Sequence, residues 1–147
     1  MVFFTDRDLG KLFPQILRNA GLNVERHDDY FSETTDDLVW LAEVARRGWF
    51  PITKNFRIRY QPAQRDTVMR AGVGLLVVIG QVPHQMLAEN FVATFGKIDR
   101  FLKANRPPFI ARIYRPAAEL IQRGSRKSGR IELWLSFDEW RKQFGGH

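Results

Sequence analysis

The feature that most constrains the fold is the run VGLLVVI at residues 73–79, seven apolar residues set between Gly72 and Gly80. A strand with one wet face alternates apolar and polar side chains, whereas a strand covered on both faces is apolar throughout. The run therefore predicts a central strand of a parallel sheet. At seven residues it is far short of the roughly 20 needed to cross a bilayer, so no membrane association is expected.

The flanking sequence switches repeatedly between strand and helix periodicity. Residues 2–5 read as a first strand that delivers Asp6 at its C-terminal end. Leu12, Phe13, Ile16, Leu17 and Ala20 then fall at helical spacing until Gly21, and residues 23–26 form a second short strand. Residues 27–35 are polar and turn-like, with Thr35 placed to cap a helix carrying Leu38, Leu41, Ala42 and Ala45 up to Gly48. A third strand at 49–53 follows, then a helix over 62–71 with Pro62 in its first turn, then the longest helix over 84–104. Leu87, Phe91, Phe95, Ile98 and Leu102 give that helix an apolar stripe. Residues 109–114 read as a fifth strand.

Beyond Pro116 the pattern changes: residues 119–123, a loop at 124–129 and the alternating segment 130–137 read as a hairpin, with a helical turn around Trp140. The expected fold is α/β, a three-layer α/β/α arrangement with a mainly parallel central sheet, plus a C-terminal β-hairpin and short helix. Residues 1–115 are expected to form the main domain and 116–147 an extension packed on it. A ligand site in such a sheet lies at the C-terminal ends of the strands.

The chain has no cysteine, which excludes a disulfide framework, a zinc-thiolate cluster and a cysteine nucleophile, and favours a reducing, cytoplasmic setting. The opening residues MVFFTDRD lack the basic-then-apolar plan of a signal peptide. The net charge of +7 is unevenly distributed: residues 1–43 hold nine acids against four bases, and residues 44–147 hold seven acids against nineteen bases. Such a contrast suits a site that holds a cation on carboxylates beneath a basic rim that holds phosphates.

Four places carry the residues for that chemistry. Asp6 and Asp8 follow the first strand, where carboxylates are placed either to hold Mg²⁺ or to cap the next helix. Asp36 and Asp37 open the second long helix, and its macrodipole accounts for one of them. His27-Asp28-Asp29 is an acidic turn that would bind metal, position water or simply be solvated. Thr53-Lys54-Asn55, with Arg57 and Arg59 beyond, closes the third strand with one oxygen ligand and three phosphate-binding cations. His27, His84 and His147 share no zinc-ligand spacing, and there is no glycine-rich phosphate loop or nucleophile elbow. The basic loop 123–130 is either an RNA or partner contact or an exposed turn, and Trp134 and Trp140 either stack on bases or cover the sheet edge.

In order along the chain, FFTDRDLG at 3–10, HDD at 27–29, DLVWL at 37–41, GWFPITKN at 48–55 and PFIARI at 108–113 resemble the PIN-like nucleases, in particular the branch related to VapC-type toxins. The resemblance spans residues 2–115. It implies a metal-dependent endoribonuclease, the toxin component of a toxin-antitoxin pair, that uses Mg²⁺ or Mn²⁺ to hydrolyse a phosphodiester by in-line attack of water. Asp6 and Asp37 would be metal ligands with Asp8 beside them, and Lys54, Arg57 and Arg59 would position the RNA. RNA, a cognate antitoxin and a second copy in a homodimer would be its partners. The resemblance also implies a third acid at position 55, where this chain has Asn55. That departure leaves open a weakened enzyme, an inactivated variant, and an enzyme that uses Asp8, Asp28 or Asp29 instead. It also motivates a catalytically inactive PIN-like module that binds RNA or protein.

Overall fold

The computed structural model describes residues 1–117 and 128–145. Within them the chain forms β1 (Phe3–Thr5), a 3-10 turn (Arg7–Leu9), α1 (Leu12–Asn19), β2 (Val24–Arg26), α2 (His27–Tyr30), α3 (Asp37–Arg46) and β3 (Phe50–Thr53). A second 3-10 turn (Ile58–Tyr60), α4 (Pro62–Ala71), β4 (Gly74–Ile79), α5 (His84–Ala104), β5 (Phe109–Tyr114), β6 (Arg130–Ser136) and α6 (Phe137–Phe144) follow. The strands make one six-stranded sheet in the order β2-β1-β3-β4-β5-β6. The first five run parallel, and β6 alone is antiparallel, paired with β5.

The apolar run at 73–79 lies at the middle of this sheet because it has two faces to bury. Leu76 and Val78 face one core cluster with Phe3, Phe13, Phe91 and Ile98, so α1 and α5 cover that side. Leu75 and Val77 face the other with Phe4, Trp40, Leu41, Val68 and Trp140, so α3, α4 and α6 cover the opposite side. The three-layer architecture with a mainly parallel sheet, expected from the alternation of periods, is the observed one. Among the described residues no helix is long and apolar enough to cross a membrane.

Two local features differ from the expectation. Asp36, not Thr35, caps α3: its carboxylate accepts from the Leu38 N–H at 2.9 Å, while the Thr35 N–H is used on the Ser32 carbonyl. The turn-like segment after Arg26 begins with a helical turn, α2, because His27 is drawn inward to 3% exposure among Phe4, Phe31 and Trp40. The short helix expected around Trp140 is present as α6, eight residues opened by a capping box between Ser136 and Glu139. The expected strand at 119–123, the loop through residue 127 and His147 lie outside the described residues.

The entry into β6 is tightly fixed. The Gly129 N–H donates to Thr94 Oγ1 at 2.9 Å, and Lys97 Nζ donates to the Gly129 carbonyl at 2.8 Å. A Cβ at Gly129 would stand 1.7 Å from the Tyr114 carbonyl oxygen, so only glycine fits against the end of β5.

Candidate active site

The C-terminal ends of β1 and β3 lie side by side, and three oxygen-bearing side chains meet there. The Asp6 N–H donates to the Ile52 carbonyl at 3.0 Å, which extends the β1–β3 ladder by one residue and fixes where Asp6 leaves the sheet. Its Oδ1 accepts from the Arg7 N–H at 2.7 Å, starting the 3-10 turn. Leu9 is fully buried, which pins that turn against the core and holds Asp8 over the end of β3. There Thr53, 2% exposed, presents Oγ1 at 2.9 Å from Asp6 Oδ2 and 3.0 Å from Asp8 Oδ2. The Lys54 N–H reaches Asp8 Oδ2 at 3.2 Å.

This arrangement is short of positive charge. A threonine hydroxyl has one proton to donate, and two carboxylates face it. Asp8 Oδ1 is buried and has no hydrogen-bond partner. Burial, followed by the charge of Asp8, pushes the Asp6 carboxyl up from 3.8 to about 7; bonds from Thr53 and Arg7 pull the other way, and Asp37 adds to the rise. Burial likewise raises Asp8, opposed by its bonds to Thr53 and Lys54 and by the charges of Lys54 and His84.

Asp37 opens α3, and its Oδ1 accepts from Trp40 Nε1 at 2.9 Å. Trp40 is buried, so this bond orients the carboxylate from below. The charge of Asp37 bears on both Asp6 and His27. His27 itself is held below its ordinary range by burial.

Asn55 is tied into the loop after β3. Its N–H donates to Thr53 Oγ1 at 3.2 Å, its Nδ2 donates to Gln61 Oε1 at 2.8 Å, and its Oδ1 accepts from the Arg57 N–H at 3.2 Å. Asp28 is held by Arg7 Nε at 2.9 Å and by Arg26 at 3.5 Å, and Asp29 lies 3.9 Å from Arg26. Asp28 is therefore engaged by guanidinium groups, Asp29 is half-exposed beside Arg26, and Asp36 is occupied as the cap of α3. Lys54 points its Nζ at His84 Nε2, 3.0 Å away. Arg57 lies over the Phe56 ring, and Arg59 is bonded to the Trp134 carbonyl and to Gln143 Oε1.

Asp6 and Asp8 are thus brought together, the charge of Asp37 bears on Asp6, Asp28 and Asp36 are hydrogen-bonded elsewhere, and Asp29 faces Arg26. Among the described residues no group of three or more His, Asp or Glu side chains forms a ready-made metal cage. The donor set nevertheless fits a hard cation of the Mg²⁺ type, which takes one or two carboxylates and keeps several waters. The unpartnered Asp8 oxygen and the excess of carboxylate over donor protons are what such an ion would satisfy.

Two residues of this site were not singled out as such in the sequence. Thr53 bridges both acids, and its signal was a threonine ending a strand adjacent in the sheet to the one that ends at Asp6. His84 packs against Gly10, 3.3 Å from where a Cβ would stand, and meets Lys54. Nothing in linear spacing announced that contact.

The family model for a PIN like domain matches residues 1–80, the stretch that holds Asp6, Asp8, Asp37, Thr53 and Asn55. Over 103 residues the chain is 31% identical to "Putative ribonuclease VapC45" of Mycobacterium tuberculosis, a match that covers 66% of this chain and 75% of that protein. No solved structure matches the chain.

Proposed function

Because the chain belongs to the PIN-like domain family, we propose that it is a Mg²⁺- or Mn²⁺-dependent endoribonuclease and the toxin component of a toxin-antitoxin pair. The observation that carries this reading is the meeting of Asp6, Asp8 and Thr53 at the end of two parallel strands, with one Asp8 oxygen buried and unpartnered. The similarity to a protein named as a VapC ribonuclease supports the choice of RNA as substrate and of an antitoxin as partner.

In this reading Asp6 and Asp8 hold the cation and Asp37 adds negative charge beside them. When bound, the ion would polarise the phosphodiester and lower the pKa of attacking water. Thr53 keeps the two carboxylates converging on one place, and Trp40 does the same for Asp37. Lys54, whose Nζ meets His84, and Arg57, over the Phe56 ring, would position RNA phosphates; Arg59 would do so only by releasing Trp134 and Gln143. Residues 1–115 carry the site, β6 and α6 beyond them belong to the same domain, and the protein acts in the cytoplasm as a homodimer.

A second reading, an inactive PIN-like module that binds RNA or protein, is favoured by Asn55 alone. Its amide donates to Gln61 and accepts from the Arg57 N–H, so the side chain at this position is engaged within its own loop. Incubating single-stranded RNA with the protein, with and without Mn²⁺, tests the choice. The enzyme reading expects Mn²⁺-dependent fragments that disappear with Asp6→Ala, whereas intact, metal-independent bound RNA would establish the module instead.

A further inference from the structure

Beside the carboxylates, at the ends of β3, β4 and β5, lies a cavity of about 340 Å³. Lys54, Phe56, Arg112, Tyr114 and Trp134 are among its walls, and among the described residues no acid is. Lys54 joins it to the active site, since the same residue's N–H binds Asp8.

Trp134 reaches this cavity because of an irregularity in the sheet. Ile110 pairs with Leu135 and Ala111 with Leu133, so Trp134 is an extra residue in β6 with no partner in β5. A bulge of this kind re-aims a side chain. Leu135 and Trp134, consecutive in sequence, both pack on the same core cluster, which strict alternation would forbid. The Trp134 carbonyl is held by the Arg59 guanidinium, and Tyr60 meets the ring edge-on at 6.1 Å.

Arg112 supplies the guanidinium of the cavity, alongside the Lys54 side chain. Its guanidinium lies 4.6 Å from the Trp134 ring centre and 5.4 Å from that of Tyr114. Its Nε is buried with no hydrogen-bond partner. Glu132, opposite it in β6, is engaged by Arg130 at 2.9 Å. A guanidinium with an unused buried donor, set among aromatic rings and uncompensated by any carboxylate in the cavity wall, calls for a flat ligand with acceptors along one edge.

We propose that this cavity receives one unstacked nucleobase of the RNA strand, next to the phosphate at Asp6 and Asp8, with guanine preferred. The choice of RNA rests on the ribonuclease reading above. The walls supply stacking surface, which every base accepts. Arg112 supplies the selectivity: its fork matches the O6 and N7 acceptors of guanine, whereas adenine and uracil present no two adjacent acceptors, and cytosine, whose O2 and N3 also fit a fork, offers only a single ring to stack. The volume lies in the range of about 300–1,000 Å³ usual for small-ligand sites.

The test is binding in EDTA, where cleavage does not intervene. Fluorescently labelled uridine hexanucleotides, either unsubstituted or with one central guanosine, adenosine or cytidine, are titrated with wild type, Trp134→Ala, Trp134→Phe and Arg112→Lys. Wild type binds the guanosine hexamer most tightly. Trp134→Ala weakens that binding by about tenfold, as loss of one base-aromatic stack does, while Trp134→Phe retains most of it. Arg112→Lys keeps the charge but loses the guanine preference, since an ammonium has no fork. Equal affinity of wild type for all four hexamers overturns the proposal, as does undiminished binding by a folded Trp134→Ala. A wild type that prefers guanosine yet leaves RNA intact in Mn²⁺ overturns the nuclease reading and upholds the pocket. One that cleaves RNA with no base preference, even after Trp134→Ala, overturns the pocket alone.

Discussion

Thr53 Oγ1 lies 2.9 Å from Asp6 Oδ2, across the junction of the third and first strands. The same hydroxyl is 3.0 Å from Asp8, so a residue with a single proton organises two acids. Thr53→Val keeps the shape of this buried side chain and removes only the hydroxyl. Its expected effect is a loss of about 10- to 100-fold in Mn²⁺ affinity, the usual consequence of removing a group that orients a metal ligand. Calorimetric titration with Mn²⁺ checks this, and the melting temperature in EDTA verifies that the fold survives.

The Asp6 carboxyl, raised from 3.8 to about 7, makes metal-free stability depend on pH. Below about pH 4 both folded and unfolded chains carry its proton and nothing is lost. Between about 4 and 7 the unfolded chain ionises while the folded one stays protonated, so the folded state weakens as pH rises, and the penalty is complete above 7. Asp6→Asn removes the penalty. In EDTA the variant's melting temperature should exceed wild type's by an amount that grows from pH 4 to pH 7.5. Saturating Mn²⁺ should raise wild type and leave the variant unmoved. A difference independent of pH contradicts the geometry described here.

Asn55→Asp would supply the acid that the family resemblance calls for. Gln61 turns its Nε2–H to the new carboxylate and the bond from Arg57 is kept, so metal-free stability should change by less than about 1 kcal/mol. Mn²⁺ affinity and the RNA cleavage rate should both rise. Denaturant titration and initial rates measure the two effects separately.

Gly129→Ala places a methyl against the Tyr114 carbonyl, where the backbone of β5 cannot yield. Overpacking of this kind costs about 1–3 kcal/mol. A fall in melting temperature of roughly 3–10 °C is expected by calorimetry.

Much of the fold was legible because the sheet is buried on both faces. The apolar run at 73–79 could only be a central strand, and the glycines at 21, 48, 72 and 80 mark the ends of elements correctly. Asp6 was legible for the same reason, since a strand that short has only one exit. The helical turn at His27 was not, because a histidine amid acids reads as polar until Phe4 and Trp40 are seen to enclose it. The bulge at Trp134 was equally hidden, since period-two alternation allows no extra residue. Arg59 looked like a phosphate ligand beside Arg57, yet its partners lie 75 and 84 residues away.

Cleavage of a labelled single-stranded RNA as Mn²⁺ is titrated tests the central claim most directly. Wild type should show no cleavage in EDTA and a rate that saturates with Mn²⁺. Asp6→Asn should lose at least about 100-fold, more than loss of a group that only orients a ligand. Cleavage that persists in EDTA, or that is equal in wild type and a folded Asp6→Asn, would contradict the assignment of this site.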